Sequence, residues 1–391
     1  MRVLVTGAQG FIGSNLCSSL RQRDDILLLE IDIGNPTSEL DSALEEADVV
    51  FHLAGINRPK NSEDFILTNT GLTETLCSKL IQFNNAPKII FASSIQAELN
   101  NPYGASKKMA EMALEDYCHR TGADCIIYRL KNLYGKWCRP NYNSVVATFC
   151  NNISHNLPIQ ISDPTTVVDL TYIDDVVAAF LCELDRPDRM PFRFAEPLPS
   201  RSVSLEKLAT LIRSFHDHRN TLVLQDYSDP FIRSLYATYL SYLEIDAFAY
   251  QLNFQSDDRG SLAEFIKSSY LGQIFISRTR PGIIRGNHYH NTKTEKFIVV
   301  QGEGIIRLRH IGTDEIIEYQ VNGEEYQVVD IPPGYTHSIE NVGDKEMVTL
   351  FWASEPFEPD RPDTWFEPVL RDAQARLTSG ESEQQLDSWQ E

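Results

Sequence analysis

Two residues apart, His288 and His290 have the spacing at which side chains of one β-strand leave it on the same face. Glu295 follows in the same stretch, Pro281-Gly-Ile-Ile-Arg285-Gly-Asn-His288-Tyr-His290-Asn-Thr-Lys-Thr-Glu295-Lys-Phe-Ile-Val-Val-Gln-Gly302. A third imidazole, His337, comes from a second apolar strand within Pro332-Pro-Gly334-Tyr-Thr-His337-Ser-Ile-Glu-Asn341. Three imidazoles and one carboxylate that converge can cage a divalent ion, and zinc, iron, nickel and manganese all suit such a set. A second cluster lies in the first half of the chain, where Tyr103 and Lys107 are four apart and so share a helix face. A phenol of pKa ~10 is a poor acid at neutral pH. An ammonium one turn away favours its phenolate, so this pair can exchange a proton with a carbonyl oxygen.

The elements that must position these groups are legible around them. Gly7-Ala-Gln-Gly10-Phe11-Ile12-Gly13 lies between a strand over Arg2 to Thr6 and a helical stretch over Ser14 to Leu20. Glycines there let backbone amides and a helix N-terminus approach a pyrophosphate. A second strand, Ile26-Leu-Leu-Leu-Glu30, brings Glu30 to the distance at which a carboxylate holds an adenosine ribose. Further strands at Asp48 to Leu53, Lys88 to Ala92 and Ala123 to Tyr128 alternate with helices, the pattern of a doubly wound parallel sheet. Ligands of such sheets bind at the carboxyl ends of the strands. Leu53-Ala54-Gly55, Ser93-Ser94 and the helix opening at Tyr103 all fall there.

A chain of 391 residues is long enough for two domains with real cores. The boundaries expected are 1–245 for the α/β domain, 246–370 for a β-rich domain and 371–391 for a disordered Ser-, Gln- and Glu-rich tail. Asp229 to Tyr250, rich in Tyr and Phe, reads as a packed connector, since flexible linkers are Gly-, Ser- or Pro-rich. With 55 acidic against 35 basic residues, the balance disfavours broad contact with nucleic acid or an anionic membrane, so anionic ligands must be met locally. Seven scattered cysteines without a CxxC pair read as reduced thiols. No leader and no apolar run of ~18 residues is present, so the expectation is a soluble, cytoplasmic protein.

The spacing of Gly282, His288, His290, Glu295 and Gly302, with Pro332, Gly334, His337 and Asn341, resembles the two motifs of the cupin family. It departs at Tyr326, where that family usually has Gly. Thr6-Gly7-x-x-Gly10-x-x-Gly13 with Ser94, Tyr103 and Lys107 resembles the extended short-chain dehydrogenases/reductases. The implied fold is an α/β Rossmann-type doubly wound parallel sheet followed by an all-β cupin (jelly-roll) barrel. That resemblance also makes Asn132, within Arg129-Leu-Lys-Asn132-Leu-Tyr134-Gly135, a contact for a nucleotide-sugar. An Arg that in those relatives precedes Tyr172-Ile-Asp174-Asp175 and meets the diphosphate is absent, leaving Lys136, Arg139 and Lys131 as candidate cations. Asp258-Arg259-Gly and Gly282-Ile-Ile-Arg285-Gly286-Asn-His288 are similar to segments of cupin-type 4-keto-sugar epimerases, which implies His288 as a base and Arg259 and Arg285 as substrate contacts.

Nearly the whole chain, to about Leu370, resembles the bifunctional CapF-type enzymes of capsular polysaccharide synthesis. The resemblance implies C3 epimerisation and C4 reduction of a UDP-2-acetamido-2,6-dideoxy-4-ketohexose, a homodimer, zinc and NADPH. Two carboxylates in Glu30-Ile-Asp32 argue the other way on the cofactor, because they repel a 2′-phosphate and welcome a ribose diol, so NADH stays open. Two alternatives also stay open. The cupin could be a non-catalytic binding or dimerisation module, or the chain a non-redox epimerase that keeps its nicotinamide.

Overall fold

The computed structural model describes residues 1–371 apart from Lys60, Ser62 and 188–190. The tail expected to be disordered therefore lies, after Arg371, outside the described residues. The chain divides into two compact units, one of Met1–His216 with Ser228–Ile245, the other of Asp217–Tyr227 with the described chain from Asp246. The excursion of 217–227 into the second unit has no counterpart in a single boundary at 245.

In the first unit, strands β1 (Arg2–Thr6), β2 (Leu27–Ile31), β3 (Val49–His52), β4 (Lys88–Ser94), β5 (Cys125–Leu130) and the short β8 (Arg193–Phe194) form one sheet. Its order is β2-β1-β3-β4-β5-β8, and every pairing is parallel. Helices α1 (Phe11–Leu20), α2 (Thr37–Glu46), the short α3 (Glu63–Phe65), α4 (Gly71–Gln82), α5 (Pro102–Thr121), α6 (Val145–Ser154) and α7 (Ile173–Leu184) follow in chain order. Strands covered on both faces read as continuous apolar runs, and β3 (Val-Val-Phe-His) is buried throughout. Alternate residues feed two cores, Val3, Val5, Phe51 and Ile90 on one face and Leu4, Val50, Ile89 and Phe91 on the other. The strand order reverses between β1 and β3, which opens a crevice at their carboxyl ends. Strands β6 (Asn132–Tyr134), β7 (Val167–Tyr172) and β9 (Arg201–Ser204) make a separate small sheet, with α8 (Leu205–Thr221) after it. Much of the stretch read as a connector is instead α9 (Pro230–Leu240), capped by Asp229 and tied into the first unit by Tyr134 Oη to Ser234 Oγ at 2.7 Å.

The second unit is antiparallel, as hydrophobic alternation requires: β19 (Met347–Ala353) is buried at every other residue. One sheet runs β10 (Phe254–Asp257), β11 (Gly260–Ser268), β12 (Gly272–Thr279), β19, β14 (Glu295–Gln301), β17 (Val328–Ile331). The other runs β16 (Ile316–Asn322), β15 (Glu303–His310), β18 (Tyr335–Asn341), β13 (Ile284–Tyr289), β20 (Trp365–Phe366). Phe297, Val299, Ile306, Ile339 and Phe351 from both sheets share one core, giving the expected cupin-like barrel. The segment after β19 contributes β20 to the sheet and is gripped by fully buried Arg309, which donates to the carbonyls of Pro368 and Val369. Tyr326, standing where related barrels have Gly, adopts the left-handed φ of 48° that Gly takes without steric cost.

The turn between β1 and α1 leaves no room for a side chain: a Cβ on Gly13 would lie 2.1 Å from the Gly7 carbonyl oxygen. Gly13→Ala should lower stability by about 1–3 kcal/mol, the usual cost of overpacking, and weaken dinucleotide binding. Chemical denaturation and a fluorescence titration check both.

Candidate functional site

At the crevice, Gly7 has φ 71° and its own Cβ would sit 2.8 Å from the Ala54 backbone, so β1 and the β3 end approach as closely as two backbones can. Gly10, Phe11, Ile12 and Gly13 open α1 directly afterwards, with Gly10 at its N-cap position. Leu53 and Ala54 form the opposite wall, Leu53 donating its N–H to the Thr6 carbonyl at 3.1 Å. A turn that excludes side chains and ends in the first turn of a helix fits a dinucleotide pyrophosphate. Glu30 is engaged by Arg21, just past the end of α1, its carboxylate accepting at 2.6–3.2 Å. The carboxylate at the strand end is Asp32, whose Oδ2 accepts from the Gln9 amide at 2.8 Å.

Asn101 caps α5 by accepting from the Gly104 amide at 2.8 Å, and Pro102 occupies its first turn, so Tyr103 and Lys107 enter on one face. Ser94 ends β4 and accepts from the Gln96 amide at 3.2 Å. Burial pushes the Tyr103 phenol up, with Ser94 pulling against it. Lys107 is buried; its Nζ donates to the Ala92 carbonyl at 2.9 Å and lies where a Cβ on Gly55 would be 3.4 Å away, beside the crevice. Burial pushes its ammonium down to about 8, with Glu111 opposing. The ammonium expected to favour the phenolate does not do so here: burial keeps the Tyr103 phenol protonated while Lys107, one helical turn on, holds its own proton loosely, and the two together are suited to passing a proton to a substrate oxygen. Asn69, missed in the sequence, locks the loop after β3 to α5: its side chain exchanges two hydrogen bonds with Ile56 at 2.8 and 3.0 Å and donates to Ser106 Oγ at 2.9 Å.

The expected diphosphate cations are largely engaged. Lys136 donates to Asp174 at 2.8 Å, Lys131 to Asp169 and Ser200 at 3.2 and 2.9 Å, and Arg139 lies over the Tyr142 ring. Asn132 donates to the Asp169 carbonyl at 3.3 Å. A cleft beside β7 is lined by Tyr134, Leu170, Tyr172, Arg201, Phe231 and Arg233, with Arg201 itself bridged to Asp229 at 3.5 Å. Leu170, just before Tyr172, is paired in register with Arg201 of β9. Side chains opposite one another across a ladder share a face, so Arg201 brings a guanidinium to the side that β7 itself leaves without one. Only the strand pairing reveals this.

In the second unit, His288, His290, Glu295 and His337 come together, with one potential ligand atom of each lying within 4.8 Å of the others. They come from both sheets, β13 and β18 on one side and β14 on the other. Glu295 Oε2 approaches His290 Nε2 at 3.2 Å and His337 Nε2 at 3.1 Å, yet all three buried atoms lack a hydrogen bond. Convergent lone pairs without hydrogen bonds fit a metal ion. Burial would raise the Glu295 carboxyl, but His290 and His337 outweigh it and hold the group well below its usual range. Burial likewise drives His288 down, with His337 adding to it. His290 is oriented by its Nδ1, 2.6 Å from the Asp363 carbonyl oxygen, while the Asp363 carboxylate accepts from the amides of Asn291, Thr292 and Lys293 at 2.9–3.0 Å. Asp363 sits far along the chain and carries no motif that would have pointed to it.

A register shift between Gly286 and His288 against β18 marks a β-bulge, with Asn287 at φ 61°. One extra residue returns Arg285 to the face of His288. Arg285 donates to Thr279 Oγ1 at 3.2 Å, and burial, then Arg259, lowers its pKa. Arg259 is held by Asp257 at 2.5 and 2.7 Å.

The two folds define a class, an NAD(P)-dependent sugar enzyme of the short-chain type joined to a cupin. Residues 3–193 match the NAD dependent epimerase/dehydratase family and residues 255–365 the Polysaccharide biosynthesis C-terminal domain. The chain is 40% identical over 365 residues to UDP-2-acetamido-2,6-beta-L-arabino-hexul-4-ose reductase of Pseudomonas aeruginosa, covering 93% of this chain and 98% of that one. The capsular polysaccharide assembling protein CapF of Staphylococcus aureus superposes with a TM-score of 0.87 at 43% identity, over 94% of this chain and 100% of that one. The spore coat polysaccharide biosynthesis protein SpsL of Bacillus subtilis is 25% identical over 118 residues, 28% of this chain and 78% of its own. The chain belongs to the CapF-type family of capsular polysaccharide enzymes. No helix among the described residues is long and apolar enough to cross a membrane.

Two measurements check these sites. Elemental analysis should find about one divalent ion per chain, lost in Glu295→Ala. Because folded Lys107 titrates near 8, below the ~10.4 of an unfolded lysine, the unfolded chain binds more protons between those pH values. The contribution of Lys107 to stability therefore rises with pH across that window. The stability difference between wild type and Lys107→Met should shift in favour of wild type from pH 8 to 10; a constant difference would mean an ordinary solvated ammonium.

Proposed function

We propose that the chain is a bifunctional nucleotide-sugar enzyme. Its cupin unit inverts C3 of a UDP-2-acetamido-2,6-dideoxy-4-ketohexose, and its first unit reduces the C4 ketone. The product is UDP-N-acetyl-6-deoxy-L-talosamine, on the route to UDP-N-acetyl-L-fucosamine for capsule or O-antigen polysaccharide. The observation that carries this is the near full-length likeness to a relative named as a hexul-4-ose reductase, together with Tyr103 and Lys107 on one face of α5 beside the crevice.

In the first unit, Gly7, Gly10 and Gly13 with Leu53 and Ala54 hold the dinucleotide, which when bound supplies hydride for C4. Tyr103 donates the proton to the C4 oxygen, Ser94 orients that oxygen, and Lys107 relays charge through its low ammonium pKa. Arg201 and Arg233 take the diphosphate in place of the absent Arg, with Asn132 at the rim.

In the second unit, a ketone at C4 makes the C3 hydrogen acidic, so inversion needs a base and a group that tolerates enolate charge. His290, Glu295 and His337, the three with orphaned buried atoms, hold the ion, which when bound supplies Lewis-acid stabilisation. Zinc is the expected occupant. His288 is more open than these three and shares a face with Arg285, so it serves as the base while Arg285 and Arg259 grip the anionic substrate. The working form is a dimer in the cytoplasm.

Deuterium exchange at C3 of the keto sugar in D2O without dinucleotide requires only carbanion formation. His288→Ala should abolish this exchange while keeping the metal. Tyr103→Phe should leave it intact and cut reduction ~100-fold or more. Exchange that survives His288→Ala, or disappears in folded Tyr103→Phe, would move both reactions to the first unit and leave the cupin a binding module.

A further inference from the structure

The β2 strand ends at Ile31, whose carbonyl accepts from the amides of Gly7 and Ala8 at 2.8 and 3.3 Å, so the residue after it abuts the glycine turn. That residue is Asp32. Its Oδ2 accepts from the Gln9 amide at 2.8 Å and its Oδ1 from the Ile33 amide at 2.8 Å. Its own amide donates to Asn35 Oδ1 at 2.8 Å, and Asn35 in turn donates to Glu39 at 2.7 Å. The carboxylate is thus half-buried and held in place by amide donors, with a second lone pair on each oxygen still available.

Charge around it points one way. Arg21, the cation on the facing helix, is neutralised by two-pronged contact with Glu30. From Ile31 to Ala47 the chain has no Lys, Arg or His, and Asp32, Glu39, Asp41, Glu45 and Glu46 are all acidic. The turn from Gly7 to Gly13 is also without a basic side chain. A 2′-phosphate brings nearly two negative charges to this corner, whereas a ribose diol brings two O–H donors that a carboxylate accepts.

We propose that Asp32 makes the first unit select NADH over NADPH, against the NADPH that the family resemblance implies. The proposal rests on the dinucleotide crevice assigned above. Asp32 holds both adenosine ribose hydroxyls, and the Gln9 amide and Asn35 keep it aimed at them. The role first expected of Glu30 belongs to its neighbour two residues on.

The test is equilibrium binding to the full-length protein, read by nucleotide fluorescence with NADH and NADPH and by calorimetry with NAD+ and NADP+. NADH should bind about 100-fold more tightly than NADPH, a difference of ~2.7 kcal/mol. Asp32→Ala should erase most of that preference by weakening NADH and strengthening NADPH. Asp32→Asn keeps the size and an acceptor for the Gln9 amide, guards against a misfolded turn, and should also move the ratio toward NADPH. Equal or reversed affinities in wild type, or a ratio unmoved by both substitutions, would overturn the selection and leave the crevice standing. Binding of neither nucleotide would overturn the crevice as well.

Discussion

One carboxylate oxygen and two imidazole nitrogens meet in the second unit at a buried point where none hydrogen-bonds another. Left without a partner, each such desolvated lone pair carries a cost of a few kcal/mol, which a bound cation would offset. Much of the barrel can be understood from that demand. Both sheets must arrive in register, so His337 stands opposite His288 across β13 and β18 while Glu295 lies on β14 of the other sheet. The chain after β19 must return to the ligands, and buried Arg309 with the Asp363 carboxylate binds it there.

The first unit instead buries a cation beside its crevice. Lys107 enters a layer of Phe91 and His52, where its ammonium lies 4.8 Å from the Phe91 ring centre. Burial, then Lys107, pushes His52 down to about 3, so that ring stays neutral between Thr6 and Thr73. A neutral neighbour keeps the ammonium from meeting a second positive charge. Ser93 and Arg129 meanwhile engage buried Glu111, whose charge opposes the loss of the lysine's proton.

The groups that a local segment positions were legible in the sequence. Gly7 to Gly13, Tyr103 with Lys107, and His288 with His290 each sit within one turn or one strand, where spacing alone decides which way side chains point. Groups placed by pairing between distant segments were not. Arg201 reaches the cleft only through its register with Leu170, and Asp363 reaches His290 only because the chain doubles back. Glu30 and Asp32 show how fine the margin is. Both point out of β2 at the same parity, but the strand stops at Ile31, and a boundary uncertain by one or two residues cannot say which carboxylate borders the turn. The bulge after Gly286 is equally silent, although the glycine hints at it.

Residues 217–227 belong to the second unit although the chain before and after them belongs to the first. In that excursion Leu222 and Leu224 exchange backbone hydrogen bonds with Lys267 of β11 at 2.9 Å. This segment is synthesised before the β11 residues it pairs with. A single cut after Ile245 would therefore keep the first unit entire but strip the second of residues 217–227. Splitting the gene at that point would cost the β-rich half a segment paired to its own β11, while the α/β half would carry it as an unneeded insert.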